Sequence, residues 1–168
     1  MRAVIIAVAL LGALPTLSPV RAQEPVGCDK FKWPLDRERA LMANPIDIAS
    51  GATIAEPGAA AYRIALAPQA DAKLPAAPER ASREPAAHAG FLRFAATSGP
   101  GTFRITLSAN AWIDVIQSEK FVHAGEFSGV NGCDGLRKSV KFSLAAAPFT
   151  IQFSGATVQS LMVTVTRD

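Results

Sequence analysis

Asp114, His123 and Glu126 are the residues whose types and order could do chemistry. Asp114 interrupts the apolar run Trp112-Ile113-Asp114-Val115-Ile116, and an acid there costs several kcal/mol, roughly, unless it is paired or hydrogen-bonded. His123 and Glu126 form a His-x-x-Glu pair, one nitrogen and one oxygen donor. A metal-dependent enzyme or hydrolase using these three is one reading, with Asp114 as the further ligand that metal sites normally need. Nucleophilic catalysis has less to draw on. No Gly-x-Ser-x-Gly elbow is present, and only His88 and His123 are available as a base. His88 falls in a Pro/Ala-rich stretch and is expected to be solvated. No catalytic residue, metal or cofactor is therefore assigned, and Asp114 is expected to sit near water or to form an ion pair with Arg104, Arg137 or Lys138.

Binding chemistry is better supplied. Trp112 and Trp33 are aromatic platforms or core contacts, and Arg137-Lys138 follows a run containing Gly129, Gly132 and Gly135. Such a run could form a backbone nest for an anion, although no helix follows to add its dipole. The candidate binding residues are Trp112, Asp114, Trp33, Arg137 and Lys138.

These residues must be positioned by a chain with an exported look. Residues 1–22 carry Arg2, an apolar run over residues 3–14 and the small-x-small site Val20-Arg21-Ala22, which reads as a cleaved signal peptide. Cys28 lacks the preceding Leu of a lipidation site. Cleavage leaves 146 residues, enough for one core, and takes the net charge from +3 to +1 by removing Arg2 and Arg21. A near-neutral chain without a Lys/Arg block has no footprint for nucleic acid, and no later stretch is apolar enough to span a membrane. The expected location is periplasmic or secreted. Two cysteines in an oxidising compartment have one pairing, Cys28 with Cys133. It closes a loop of about 100 residues, for which chain entropy alone suggests ~4 to 5 kcal/mol as an upper figure.

Residues 23–45 read as an N-terminal arm with one short helix over residues 34–42, begun by Pro34 and stopped by Asn44-Pro45. Residues 46–168 read as a β-sandwich domain. Phe103/Ile105/Leu107, Val140/Phe142/Leu144, Phe149/Ile151/Phe153 and Leu161/Val163/Val165 alternate with polar residues, the period of strands with one buried face. Tyr62/Ile64/Leu66 adds another, residues 91–97 are expected to pair with residues 103–108 as a hairpin across Ser98-Gly99-Pro100-Gly101, and residues 120–127 make a poorer strand. Residues 112–116 are apolar on both faces and read as a central strand covered on both sides. Residues 68–90 hold four prolines and no large aromatic or β-branched residue, and read as a long exposed loop. About eight strands and one helix predict an all-β fold, an antiparallel β-sandwich or jelly-roll-like domain.

Thr102-Phe103-Arg104-Ile105-Thr106-Leu107, Trp112-Ile113-Asp114-Val115, Lys141-Phe142-Ser143-Leu144 and the closing strand over residues 161–166 resemble the prepeptidase C-terminal-type β-sandwich modules of secreted bacterial proteases. That resemblance implies a role in binding or secretion, with Asp114 the counterpart of a calcium-holding acid. The chain with Cys28-Asp29-Lys30-Phe31-Lys32-Trp33-Pro34 and Gly132-Cys133-Asp134-Gly135 is also similar to small exported bacterial β-sandwich proteins of unknown function. The leading expectation is a non-catalytic binding or accessory domain for a protein, glycan or small ligand of the envelope. The others are the enzyme above and a structural envelope component.

Overall fold

The computed structural model describes residues 23–168, so the signal peptide expected at residues 1–22 lies outside the described residues. A 3-10 turn at Cys28–Lys30 leads into α1 (Asp36–Met42). Twelve strands follow: β1 (Ile46–Ile48), β2 (Thr53–Ile54), β3 (Ala61–Ala65), β4 (Ala67–Pro68), β5 (His88–Phe94), β6 (Gly101–Leu107), β7 (Trp112–Gln117), β8 (Lys120–Val122), β9 (Glu126–Gly129), β10 (Lys138–Leu144), β11 (Phe149–Ala156) and β12 (Ser160–Arg167).

They form an all-β sandwich. Sheet I runs in the order β1-β3-β12-β6-β10-β9, and sheet II runs β2-β5-β11-β7-β8, with β4 on the same edge of β5 as β2. The alternating runs supply the long strands, and the strands beyond the expected eight are pieces of two to four residues at the margins. Pairing is antiparallel except where β1 meets β3 and β2 meets β5. The two parallel edges arise because the chain crosses between sheets after β1 and again after β2.

Two expected elements are corrected. Residues 91–97 and 103–108 do not form a hairpin: β5 pairs with β11 in sheet II, while β6 pairs with β10 and β12 in sheet I. Ser98-Gly99-Pro100-Gly101 carries the chain across the sandwich, so both strands bury their apolar faces in one core from opposite sides. The helix begins at Asp36 rather than Pro34. Arg104 Nη1 donates to the Pro34 carbonyl at 2.8 Å, and Leu35, with φ −126° and ψ 29°, is the non-helical residue before the first turn.

Between the sheets lie Ile64, Leu92, Phe94, Phe103, Ile105, Leu107, Val115, Phe142, Ile151, Phe153, Leu161 and Val163. Phe94 stacks on Phe149 with centroids 4.7 Å apart. A second cluster lies on the outer face of sheet I, where Leu35 and Met42 of the arm and α1 pack on Ala61, Val130, Cys133 and Leu136. Cys28 and Cys133 are joined as a disulfide with Cα atoms 4.9 Å apart, holding the arm to this face.

Of the loop expected at residues 68–90, Pro68 closes β4 and residues 88–90 open β5, and the irregular residues 69–87 between them are not a free loop. They lie as a strap across the outer face of sheet II. The Ala76 amide donates to Gln152 Oε1 at 3.3 Å, the Glu79 amide to Asp114 Oδ2 at 3.4 Å, and the Gly155 amide to Gln69 Oε1 at 2.7 Å. Ala72 and Ala87 are the strap's buried side chains. Backbone amides meeting buried polar side chains, rather than large apolar residues, hold this segment down.

Candidate functional site

The strap explains Asp114. Its carboxylate is 2 % exposed and faces outward from β7, beside Gln152 of β11 in register. It accepts from Trp112 Nε1 at 2.5 Å, from Gln152 Nε2 at 2.9 Å and from the Glu79 amide. The expected ion pair with Arg104, Arg137 or Lys138 is replaced by three neutral N–H donors. Arg104 lies on sheet I, where Glu38 and Asp168 occupy it, and Arg137 is paired with Glu24. Asp114 thus fixes Trp112 at one end and the strap at the other.

The three residues with metal or hydrolytic potential do not meet. Asp114 is under the strap. The His123 side chain is 85 % exposed and faces Glu79 at 4.0 Å, and Glu126 lies beside Lys141 at 3.8 Å on the outer face of sheet I. Among the described residues no three His, Cys, Asp or Glu side chains are grouped to hold a metal ion. His88 is also placed differently from expectation: it opens β5, half-buried, with Nδ1 buried and without a hydrogen-bond partner.

What the fold does bring together is a cleft of about 790 Å³ along one open side of the sandwich, beside β7 and β8 of sheet II and β9 and β10 of sheet I. Its origin is visible in the pairing. β8 and β9 are the outermost strands of their sheets, and each is too short to close the gap between them. Ile113, Val122, Phe127, Val140 and Phe142 line it, and Phe127 is 61 % exposed, with the Lys32 ammonium 5.2 Å from its ring centre. Residues 79–84 of the strap form one rim and Trp112 forms a wall.

Lys138 belongs to this cleft by strand parity. Lys138, Val140 and Phe142 share the inward face of β10, so a lysine takes the slot that alternation gives to an apolar residue. Nζ donates to the Ala111 carbonyl at 3.0 Å and lies 5.5 Å from the centre of the Trp112 ring. Burial lowers its pKa from the usual lysine value. The Arg137 and Arg80 charges lower it further, against a smaller opposing effect of Glu24. Arg80 sits 5.2 Å from the same ring.

Of the residues singled out from sequence, Trp112, Arg137 and Lys138 converge on the cleft. Trp33 does not. It lies on the outer face of sheet I, with Nε1 donating to Ser139 Oγ at 3.1 Å and Lys141 4.6 Å from its ring. The glycine run forms the turn that carries Cys133, with φ of 63° at Gly132 and 72° at Gly135, and the Arg137 guanidinium reaches Glu24. Arg80, Val122 and Phe127 went unrecognised in the sequence. The signal for Arg80 was absent, but Phe127 and Lys138 stand opposite the inward positions of neighbouring strands once the register is known.

No helix among the described residues is long and apolar enough to cross a membrane. No protein-family model, curated protein or solved structure matches this chain. The cleft therefore stands on its own geometry.

Proposed function

We propose that this chain is an exported, non-catalytic binding domain whose ligand is a small amphipathic molecule held in the cleft between β7–β8 and β9–β10. The observation that carries the reading is that inward, core-type side chains, among them Ile113, Val122, Val140 and Phe142, border an opening of about 790 Å³. Clefts of roughly 300–1,000 Å³ with apolar walls and a few polar groups are where small ligands bind. The leader expected at residues 1–22 and the Cys28–Cys133 bridge support a periplasmic or secreted location. A small ligand is favoured over a glycan because Trp112 and Trp33 lie on different faces and cannot form one stacking surface. It is favoured over a protein because the apolar surface is recessed rather than flat.

Nile red, an uncharged dye that brightens in apolar surroundings, tests this. The mature, oxidised protein is expected to bind it with saturation at one site. Phe127→Asp and Val122→Asp, at partly or largely exposed positions, are expected to weaken binding by tenfold or more while leaving the circular dichroism spectrum intact. Dye binding unchanged in both variants places it elsewhere and removes the proposal.

A further inference from the structure

The cleft has a charge pattern that its apolar lining does not require. Four cations line it: Arg80, Arg83, Arg137 and Lys138. Arg137 is neutralised by Glu24, but among the described residues Arg80, Arg83 and Lys138 make no ion pair. Three acids also line the cleft, but none pairs with these cations: Glu24 pairs with Arg137, while Glu79, which faces His123, and Glu84 form no ion pair with any of the three.

Lys138 and Arg80 both lie against the Trp112 ring, within 5.5 Å of its centre. Trp112 is itself fixed by Asp114, so this pair of cations sits on an immobile platform. The ring face attracts each cation, yet the two repel one another and lie near Arg137, which is the situation that a bound negative charge relieves. Lys138 spends one of its three N–H groups on the Ala111 carbonyl, the sole hydrogen bond its side chain makes among the described residues. The cleft then continues from this charged end toward Val122 and Phe127, which are apolar.

We infer that the ligand of this cleft is an organic anion, a carboxylate or phosphate headgroup seated between Lys138 and Arg80 beside Trp112, with an apolar body lying along Val122 and Phe127. The inference rests on the cleft reading above and adds the sign of the ligand's charge. A cationic amphiphile would meet the Lys138 and Arg80 charges against Trp112 and is disfavoured by the same chemistry. An uncharged one would leave the Lys138 ammonium without its missing partner.

Three probes of equal chain length separate the possibilities: octanoate, octanol and octylammonium, each titrated against Nile red bound to the oxidised protein. Octanoate is expected to displace the dye at tenfold or more lower concentration than octanol, and octylammonium to be weaker than both. The octanoate advantage should shrink with added salt, while octanol should not respond. Arg80→Met and Lys138→Met should each lower octanoate affinity by about fivefold or more and leave octanol unchanged. Arg80 is on the strap surface, so its variant keeps the test available should Lys138→Met fold poorly. Equal displacement by octanoate and octanol in the wild type, or an octanoate advantage that survives both substitutions undiminished, overturns the anion inference and leaves the apolar cleft standing. Failure of all three probes, with the dye unaffected by Phe127→Asp, overturns the cleft reading itself.

Discussion

The outer face of sheet I and the open side of the sandwich both gather charge around a tryptophan, and they treat it in opposite ways. Under α1, Glu38 is fully buried, accepts from Thr166 Oγ1 at 2.5 Å and faces Arg104 Nε at 3.6 Å. Arg104 meets Asp168 at 3.2 Å, Asp168 meets Lys141 at 2.8 Å, and Lys141 lies over Trp33. Each charge there has an opposite one beside it. At the cleft, Arg80 and Lys138 share Trp112, and among the described residues neither forms an ion pair with a carboxylate. The first arrangement is paired throughout and holds a helix on a sheet, whereas the second has no ion pair for Arg80 or Lys138 among the described residues.

That contrast can be broken at its strongest point by Glu38→Ala. Removing one partner of a buried pair strands the other, and the expected loss is about 3 kcal/mol, read from urea unfolding. A loss below about 1 kcal/mol would mean the Arg104 charge is already solvated and the network is not closed. Next in size is Asp114→Ala, which leaves the Trp112, Gln152 and Glu79 N–H groups without their acceptor and is expected to cost about 2 kcal/mol. The same variant should open residues 69–87 to limited proteolysis, to which the wild-type strap is expected to be resistant. Equal cleavage of both proteins would show that Asp114 does not hold the strap.

Lys138→Met should have the smallest effect, less than about 1 kcal/mol, because it removes a charge that forms no ion pair among the described residues. Its sign depends on pH. Lys138 has a folded-state pKa below the ordinary 10.5, so its charged form opposes folding below that folded value. As pH rises from there toward 10.5 the folded state sheds its proton first, and wild-type stability climbs relative to the variant. Parallel stability curves for the two proteins through this alkaline window would mean that Lys138 is not desolvated.

How much of this was legible depended on where the stabilising atoms are. β6, β10, β11 and β12 were readable because Phe103, Phe142, Phe153 and Val163 alternate with polar residues along long strands. The Cys28–Cys133 bridge followed from there being two cysteines. The strap was not readable as a docked element, since main-chain amides at Ala76 and Glu79 carry its attachment and only small Ala side chains are buried with it. For the same reason β5 was given the wrong partner: local turn chemistry at Ser98–Gly101 suits a hairpin, and only the long-range pairing with β11 decides against it. Lys138 was noticed for its neighbour Arg137, although its significance lies in sharing a face with Val140 and Phe142, two residues and four residues on.

The arm has one further consequence. Gly27 donates to the Asn131 carbonyl at 2.9 Å, the Asn131 amide donates to the Pro25 carbonyl at 2.9 Å, and the Lys32 amide reaches Ser128 Oγ. Val26 and Asn131 thereby form a parallel bridge that extends sheet I past the end of β9. Sheet margins with unpaired main-chain groups invite a strand from another molecule. Here the protein fills that place with its own N-terminal segment, and the Cys28–Cys133 bond makes the filling permanent. The same bond formed between two chains would lay each arm on its neighbour's sheet with every hydrogen bond preserved, so the staple also decides that this element is kept within one molecule rather than exchanged.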